Sequence, residues 1–596
     1  QILRIYTIHP PHMYTELKAY NEAHPQAPLY LVHGIYLPDE SYIETQDLFE
    51  ETSTQAMIDE VRDASAAVHG TLERDRTPGR ASGTWTADVS PWTAAWIVGV
   101  EWDPIAGSAS DEKNANAPAH EGTYFSSHPD ASPTERWIAA RMDELAGYEA
   151  ARGVSVPIAH ANWPTTDPLD HPDEPLESED MLGVDANHVV PSAAWPGGTF
   201  ASYHAYPYYP DFQMIAPGYA DTDDPYRAYL LDLARHHAGM PVLISEYGVP
   251  SSLGSAHRGS HGRDQGHLTE QTAMRMGGEM LRMFADAGLA GGVVFAWTDE
   301  WFKFTWNTLP RHAPVHSERR ALWHDPFTNE QFFGVVAHDP VRAGRRVLFE
   351  SQVGVRWIGL DHDASWVHLD LLLDRPGEPM SIGFSIVPDG GLVMPDGAGE
   401  AVHDVAVTLD SQAGTARALV RPELDPVRMD GLPASAVPAP EISGWVLHRL
   451  TLNRPLTVPT TGEQRPAEFL DVGELIEGDW DADPGNTLAT WRTEDHGDGT
   501  VTLHLRLPWG MLLLADPSSH TAVVPRRDGP EPTGDVQWED QPEGVEVKAI
   551  TATVFVAGTD PIPVELAWDN WNQAQYTERL KAGADELGRA FVETRT

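Results

Sequence analysis

The feature that most constrains the fold is a regular alternation of short apolar runs with amphipathic segments over the first 310 or so residues. Runs of strand length lie at 2–8, 28–37, 94–102, 156–163, 199–207, 241–248 and 291–297. Between them, apolar residues at three- and four-residue spacing predict helices, such as those at 135–151, 226–237 and 270–287. Strands that alternate with helices predict a parallel sheet. Because seven such units are one short of eight, we predict a (β/α)8 TIM barrel over residues 1–320.

The start of the chain bears on the missing unit. The opening segment "QILRIYTIHPP" resembles the interior of a strand. We therefore expect the first barrel strand to be missing from the chain start. An upstream segment, another part of the chain or a partner would then complete the barrel.

The pattern changes after about residue 320. Stretches at 365–374, 380–387, 444–452, 499–514 and 547–558 alternate with period two and are divided by Pro, Gly and Asp clusters. Such alternation is typical of antiparallel strands with one buried face. Residues 321–596 are therefore predicted to form a β-sandwich region, one large or two small domains, with a C-terminal helix at about 575–592.

Composition excludes several classes of function. The chain carries 89 acidic against 40 basic residues, a formal charge of -49, which argues against binding to nucleic acid or to an anionic membrane surface. It has no cysteine, which excludes disulfides, thiolate metal sites and a cysteine nucleophile. No apolar run is long enough for membrane insertion, and no signal peptide is recognisable, so cytoplasmic and secreted locations both stay open. We expect no cofactor.

Candidate functional residues lie where the predicted barrel strands end, which is where reacting groups stand in such barrels. They are Tyr36, Glu101, Trp102, Asn162, Trp163, His204, Tyr206, Glu246 and Trp297. Two carboxylates that flank a glycosidic bond, polar groups for the hydroxyls and flat aromatic faces for the sugar rings are the requirements for cleaving a glycan. We therefore predict an oligo- or polysaccharide substrate.

Five segments carry a family resemblance. "WIVGVEWDP" (96–104) and "PVLISEYG" (241–248) resemble the acid/base and nucleophile segments of the clan A glycoside hydrolases, the second notably those of family 2. "LRIYTIHP" (3–10) is similar to the second strand of the β-glucanosyltransferases, and "HAYPYY" (204–209) and "FAWTDEW" (295–301) fit the sixth and eighth strands. The resemblance spans residues 1 to about 305. It implies a retaining glycosidase that cleaves a β-linked bond, with Glu101 as acid/base, Glu246 as nucleophile and Trp297 as a stacking platform.

The sequence departs from the clan at one position. Val100 stands where the clan usually has the asparagine that contacts the sugar 2-hydroxyl. Asn162, after the next strand, is the candidate to supply that contact. The departure bears on the substrate more than on the reaction type.

Other interpretations stay open at this stage. Glu246 could form a structural ion pair with an arginine, Glu101 could be a surface carboxylate, and the tryptophans could serve packing alone. A transglycosylase with the same residues and a non-catalytic carbohydrate-binding protein are the alternative functions. The acidic stretch 479–486 is spaced like the start of a calcium loop, but Pro484 and Thr490 occupy positions where such a loop needs Gly and Glu. No metal site is therefore predicted.

Overall fold

The computed structural model describes residues 1–37, 39–374, 379–527 and 540–595. The chain forms two compact units. The first contains residues 1–247, 280–294 and 458–461, and the second contains residues 248–279, 295–457 and 462–596. The predicted division at residue 320 differs from these bounds, because 248–279 and 295–320 belong to the second unit.

The first unit is built on a sheet of seven parallel strands. These are β1 (Ile2–Ile5), β2 (Tyr30–Ile35), β3 (Thr93–Val98), β4 (Ile158–Asn162), β5 (Ala201–His204), β6 (Val242–Tyr247) and β7 (Gly291–Val294). Their order in the sheet is their order in the chain. All seven predicted strands are present, and the described residues add no eighth strand to this sheet.

Helices connect most of the successive strands, as the periodicity predicts. The longer ones are α1 (Pro11–Ala23), α2 (Asp39–Thr45), α3 (Glu51–Val68), α4 (Pro104–Lys113), α5 (Pro133–Ala150), α6 (Pro225–His236) and α7 (Glu270–Asp286). Local sequence explains where they begin. The Ser132 hydroxyl accepts from the Glu135 backbone N–H in a capping box at the start of α5, and the Asp224 carboxylate caps α6.

The parallel sheet curls into a nearly closed barrel. Arg4 of β1 donates from Nη1 to the backbone carbonyl of Ser245 in β6, at 2.7 Å. These strands are first and sixth in the sheet, so in a flat sheet they would stand about 24 Å apart at ~4.8 Å per strand. One side chain cannot span that distance. The sheet therefore closes on itself, although β1 and β7 share no ladder in the described residues.

The barrel interior is filled mostly by alanine and aliphatic side chains, with one phenylalanine. They are Val32, Ala95, Ile97, Ala159, Ala161, Phe200 and the partly buried Leu243. Residues of the opposite strand faces pack outward in a larger cluster with the helices, which includes Trp96, Ile158 and Trp137. A residue's place in the strand alternation thus decides whether its side chain points toward the interior or the helices.

Most strands end earlier than predicted, and the end of β3 bears on the site. The strand predicted over 94–102 stops at Val98 because Gly99 has a φ of 89°, a left-handed conformation that favours glycine. A Cβ atom at Gly99 would lie 2.6 Å from the ring of Trp102. The chain therefore leaves the sheet at this glycine, and Glu101 follows in the loop.

The second unit is dominated by one continuous sheet of twelve strands around one large hydrophobic core. In sheet order the strands are Arg346–Glu350, Val355–His362, Trp366–Leu373, Val501–Pro508, Ala489–Asp495, Glu474–Glu477, Thr415–Val420, Val405–Asp410, Met380–Ser385, Ile550–Val556 and Ile562–Leu566, with Val446–Leu447 paired to Thr415–Val420. The strands at the two ends of this order, Arg346–Glu350 and Ile562–Leu566, also contact each other. The sheet therefore folds back to enclose its core. The predicted strand-rich C-terminal region is confirmed, as a single barrel-like sheet.

The predicted helix at 575–592 is wrong in its first half. Tyr576–Leu580 is a strand that pairs antiparallel with Val336–Pro340, and helix α8 (Ala584–Glu593) follows the positive-φ residue Gly583. Alternation in "YTERL" favours the strand, and the glycine separates it from the helix. None of the helices in the described ranges has the length and apolar character needed to cross a membrane.

Candidate active site

Glu246 owes its orientation to a one-residue irregularity in β6. Ile244 pairs with Tyr203 of β5, but the next pair joins Glu246 to His204, so Ser245 is an extra residue in the ladder. A bulge of this kind shifts the side-chain alternation by one position. Glu246 therefore points to the same side as His204 instead of following Ile244 toward the helices.

The carboxylate of Glu246 is buried and surrounded by polar groups. Tyr206 donates its hydroxyl to Oε2 at 2.9 Å, and Arg4 Nη1 lies 3.4 Å from Oε1. The Tyr6 hydroxyl is a further hydrogen-bond partner. The side chain of Glu246 is 9% exposed, so its carboxylate is largely removed from water and is paired with these groups instead.

These partners set the ionisation of Glu246. Burial by itself raises the pKa of a carboxyl group. Here the electrostatic interactions with His204 and with the charged Arg4 act against burial, aided by hydrogen bonds from the two tyrosine hydroxyls, and the pKa of Glu246 lies below its ordinary value. The arrangement keeps this carboxylate ionised near neutral pH.

Glu101 occupies a different environment. It lies in the loop after β3 and its side chain is 40% exposed, against 9% for Glu246. Its Oε1 atom is 2.7 Å from Nδ1 of His204. One carboxylate of the pair is thus enclosed and the other is open to solvent.

His204 lies between the two carboxylates. While Nδ1 contacts Glu101, Nε2 lies 3.1 Å from Oε1 of Glu246, at ion-pair distance but without hydrogen-bond alignment. One carboxylate oxygen of each glutamate and a ring nitrogen of His204 all lie within 4.8 Å of one another. The fold therefore brings together Glu101, His204, Tyr206 and Glu246, four of the residues predicted from sequence.

The other predicted residues are placed differently. Tyr36 follows β2 and is 39% exposed. Asn162 is buried: its amide nitrogen donates to the Val184 carbonyl, and its amide oxygen accepts from the Trp163 N–H and the Thr166 hydroxyl. Those bonds occupy the amide within the protein and assign Asn162 a structural role instead of the sugar contact expected from sequence.

Trp102 and Trp163, which directly follow Glu101 and Asn162 in the sequence, also serve packing. Trp102 is fully buried among the outer core residues, and its indole N–H donates to the Ala161 carbonyl at 2.9 Å. Its predicted role as a substrate contact is not compatible with complete burial. Trp163 is half-buried, donates to the Trp102 carbonyl and stacks on Tyr209 with ring centroids 6.1 Å apart.

Trp297 belongs to the second unit. Its side chain is 67% exposed, while its backbone carbonyl accepts from the Val336 N–H at 2.9 Å. A large aromatic face left open to solvent is suited to stacking on a sugar ring. Its role as a platform remains a prediction.

Arg4 contacts the nucleophile candidate Glu246 but is not among the residues predicted from sequence. Arg4 interrupts the apolar run of β1, and its side chain is 4% exposed. An arginine in the middle of a short barrel strand is costly to bury unless it is paired. That signal was present in the sequence, but its partner is 242 residues away.

A metal ion is a second possible occupant of this cluster. Glu101, His204 and Glu246 present oxygen and nitrogen atoms of the kind that bind divalent cations. Arg4, however, stands 3.4 Å from one of the Glu246 oxygens and already supplies a positive charge there. The donor set is compatible with a cation, while the arginine acts against one.

Known proteins give little further guidance. No protein-family model matches the sequence, and no curated protein matches it. Among solved structures, similarity is found to Bacteroides uniformis β-glucuronidase 2 covalently bound to cyclophellitol-6-carboxylate aziridine, with 9% identity and a TM-score of 0.30. The match covers 64% of this chain but 36% of that one, so this chain spans about a third of its length.

Two further structures are similar at the same level. The catalytic core of xylanase A has 10% identity and a TM-score of 0.24, covering 48% of this chain and 74% of that chain. Parabacteroides merdae β-glucuronidase with glycerol in its active site has 9% identity and a TM-score of 0.30, covering 95% and 57%. Scores this low carry no weight in assigning function, which rests on the geometry of the site.

Proposed function

We propose that the protein is a retaining glycoside hydrolase that cleaves a β-glycosidic bond in an oligo- or polysaccharide by double displacement. Glu246 attacks the anomeric carbon and forms a covalent glycosyl-enzyme, while Glu101 protonates the departing oxygen. Glu101 then acts as the base that activates water, and Glu246 leaves as a carboxylate.

The observation that carries the proposal is the separation of the two carboxylates. Oxygens of Glu101 and Glu246 lie within 4.8 Å of each other. Retaining enzymes hold their carboxyl groups about 5–5.5 Å apart, whereas inverting enzymes need roughly 6.5–9.5 Å to admit a water molecule. The short separation favours attack by a carboxylate over attack by water.

The two environments support the assignment of roles. A nucleophile must be ionised, and the lowered pKa of Glu246 meets that requirement. An acid/base must exchange protons with the leaving group and with water, which the more exposed Glu101 can do. His204, facing both carboxylates, is suited to hold them in register through both steps.

Product stereochemistry tests the mechanism. A panel of aryl β-glycosides and polysaccharides identifies a substrate, and proton NMR then follows the anomer released first. We expect that product to have the β configuration of the substrate. Initial release of the α anomer would contradict the nucleophile role of Glu246.

The alternatives give different results in the same assay. A transglycosylase transfers the sugar to a labelled acceptor in place of water, and a non-catalytic binding protein turns over no member of the panel. A metal-dependent hydrolase would lose activity on dialysis against EDTA. We expect activity to survive EDTA.

A further inference from the structure

A second cluster of histidine and carboxylate side chains lies in the barrel unit, on residues outside the proposed active site. It consists of Asp185, in the segment between β4 and β5, and of His236 and His237, at the C-terminal end of α6. One ligand atom from each residue lies within 4.8 Å of the other two. Oδ2 of Asp185 is 2.8 Å from Nε2 of His236, and its Oδ1 is 3.9 Å from Nδ1 of His237.

One nitrogen in this cluster is buried without a hydrogen bond to any described residue. His237 is 1% exposed, and its Nδ1 has no hydrogen-bond partner among the described residues. Its other ring nitrogen, Nε2, is engaged by the hydroxyl of Tyr203 at 2.8 Å. A buried polar atom without a hydrogen bond costs free energy. A ligand bound to this nitrogen would offset that cost.

A third histidine, His160, also has a buried ring nitrogen without a hydrogen bond to the described residues. Nδ1 of His160 contacts the Ala161 carbonyl at 3.1 Å, while its Nε2 has no partner in the part of the chain that the structure describes. His160 is 2% exposed and lies near enough to Asp185 and His237 to interact with their charges. A second imidazole nitrogen without a hydrogen bond is therefore buried close enough to Asp185 for the two residues to interact electrostatically.

We propose that Asp185, His236 and His237 bind a divalent transition-metal ion of the zinc class, with a water as the fourth ligand. Two imidazole nitrogens and one carboxylate oxygen are donors that Zn²⁺ takes in proteins. With bonds of about 2.0–2.2 Å, tetrahedral donors stand roughly 3.3–3.6 Å apart. To reach this spacing, Asp185 and His236 must move apart from 2.8 Å and the wider pairs must come together, and His236 can move because its side chain is 29% exposed.

The surroundings resemble the outer shell of a metal site. A metal-bound histidine usually donates its second N–H to a fixed partner, and for His237 that partner is the Tyr203 hydroxyl. Oδ1 of Asp185 is itself oriented by the Asn187 backbone N–H at 2.8 Å. The end of α6 adds the partial negative charge of a helix C-terminus, which favours a cation. The ion would link this helix to the segment before β5.

Metal content measured on the full chain tests the site. Protein stripped with a chelator is dialysed against Zn²⁺ and then against buffer, and retained zinc is measured for the wild type, His236→Gln, Asp185→Asn and Glu246→Ala. His24→Gln, at the exposed C-terminal cap of α1, is the matched control. Co²⁺ in place of Zn²⁺ gives a visible spectrum that reports the coordination geometry.

We expect about one retained zinc per chain in the wild type, the control and Glu246→Ala, with a tetrahedral cobalt spectrum. His236→Gln and Asp185→Asn should each weaken binding by about 100-fold or more, since even outer-shell changes cost 10- to 100-fold. Zn²⁺ should also raise the melting temperature of the wild type but not of these two variants. Absence of zinc from the wild type, equal zinc in His236→Gln and the control, or zinc lost only in Glu246→Ala would overturn the proposal.

Discussion

Glu246 pairs with His204 across the ladder between β5 and β6, and it does so because Ser245 is an extra residue in that ladder. Regular alternation would give Glu246 the orientation of Ile244, toward the helices. The bulge turns it instead toward His204, whose other nitrogen contacts Glu101. A single local irregularity in one strand thus assembles the proposed catalytic pair.

Replacement of the proposed nucleophile should abolish turnover and allow chemical rescue. Glu246→Ala removes the attacking carboxylate, and loss of a nucleophile typically costs about 10⁴-fold or more in kcat. Azide is small enough to enter the vacated space and attack the anomeric carbon directly. We expect azide to restore activity on an activated aryl glycoside and to give the α-glycosyl azide, identified by NMR. Rescue with a β product would assign the nucleophile elsewhere.

The loss of activity on replacing the proposed acid/base should depend on the leaving group. Glu101→Ala removes protonation of the departing oxygen, which contributes about 10²- to 10⁴-fold for substrates that need it. Aryl glycosides with acidic phenols need little protonation and should lose far less in the glycosylation step. The measurement is kcat/KM across a series of phenol leaving groups. An equal loss for every member would show that Glu101 is not the acid.

Arg4 should control the acid side of the pH profile. Its charge helps to lower the pKa of Glu246, so Arg4→Met should raise that pKa. Because the nucleophile must be ionised, activity is lost as pH falls through this pKa, and the acid limb of kcat/KM should move to higher pH. A loss of about 10- to 100-fold in kcat/KM is expected from removing a charged partner. Arg62→Met on the exposed face of α3 is the control and should leave the profile unchanged.

The fold was more predictable from sequence than the orientation of individual side chains. Apolar periodicity predicts all seven strands and the helices between them, because both depend on residues near in sequence. The early end of β3 depends on the backbone of Gly99, which a run of apolar letters does not show. Likewise, the helix predicted at 575–592 is wrong over "YTERL", because this segment pairs as a strand with the distant segment Val336–Pro340.

Within the site, sequence predicted the chemistry better than the packing. Glu101, His204 and Glu246 are predicted because they lie at the ends of predicted barrel strands, where reacting groups stand in such barrels. Trp102 and Asn162 lie at equivalent sequence positions, yet both are buried, with polar atoms bonded to backbone groups. The direction of a side chain after a strand depends on loop geometry, which no local pattern specifies.

Two tryptophans should therefore respond oppositely to truncation. Trp102→Ala removes a fully buried side chain and leaves the Ala161 carbonyl without its donor, so we expect a loss of about 3–5 kcal/mol in the free energy of unfolding. Trp297→Ala removes a side chain that is 67% exposed and should change stability little. If Trp297 is a sugar platform, its loss raises KM instead. Chemical denaturation together with KM measurements separates the two, and a stable Trp102→Ala variant would contradict the packing role.

Glu174, which is buried, and Glu179, which is partly buried, lie in the segment between β4 and β5 and should make the protein less stable at high pH. Burial raises the pKa of Glu174 to about 8, with the charge of Glu179 adding to it, and burial raises the pKa of Glu179 to about 7. Asp211 lies close enough to both to raise each pKa further. Glu174 is 4% exposed, and its carboxyl group accepts from the Leu176 and Phe212 backbone N–H groups.

The direction of the effect follows from the raised pKa values. A glutamate in the unfolded chain has a pKa of about 4.3. The folded protein therefore binds these protons more tightly than the unfolded chain does. Their contribution to stability is fully present below about pH 4.3 and is lost as pH rises through about 7 to 8. Glu174→Gln, which is neutral at every pH, should reduce the fall in unfolding free energy between about pH 5 and pH 9. Glu22→Gln on the exposed surface of α1 is the matched control, and equal pH slopes for the two variants would show that Glu174 is not a buried proton-binding group.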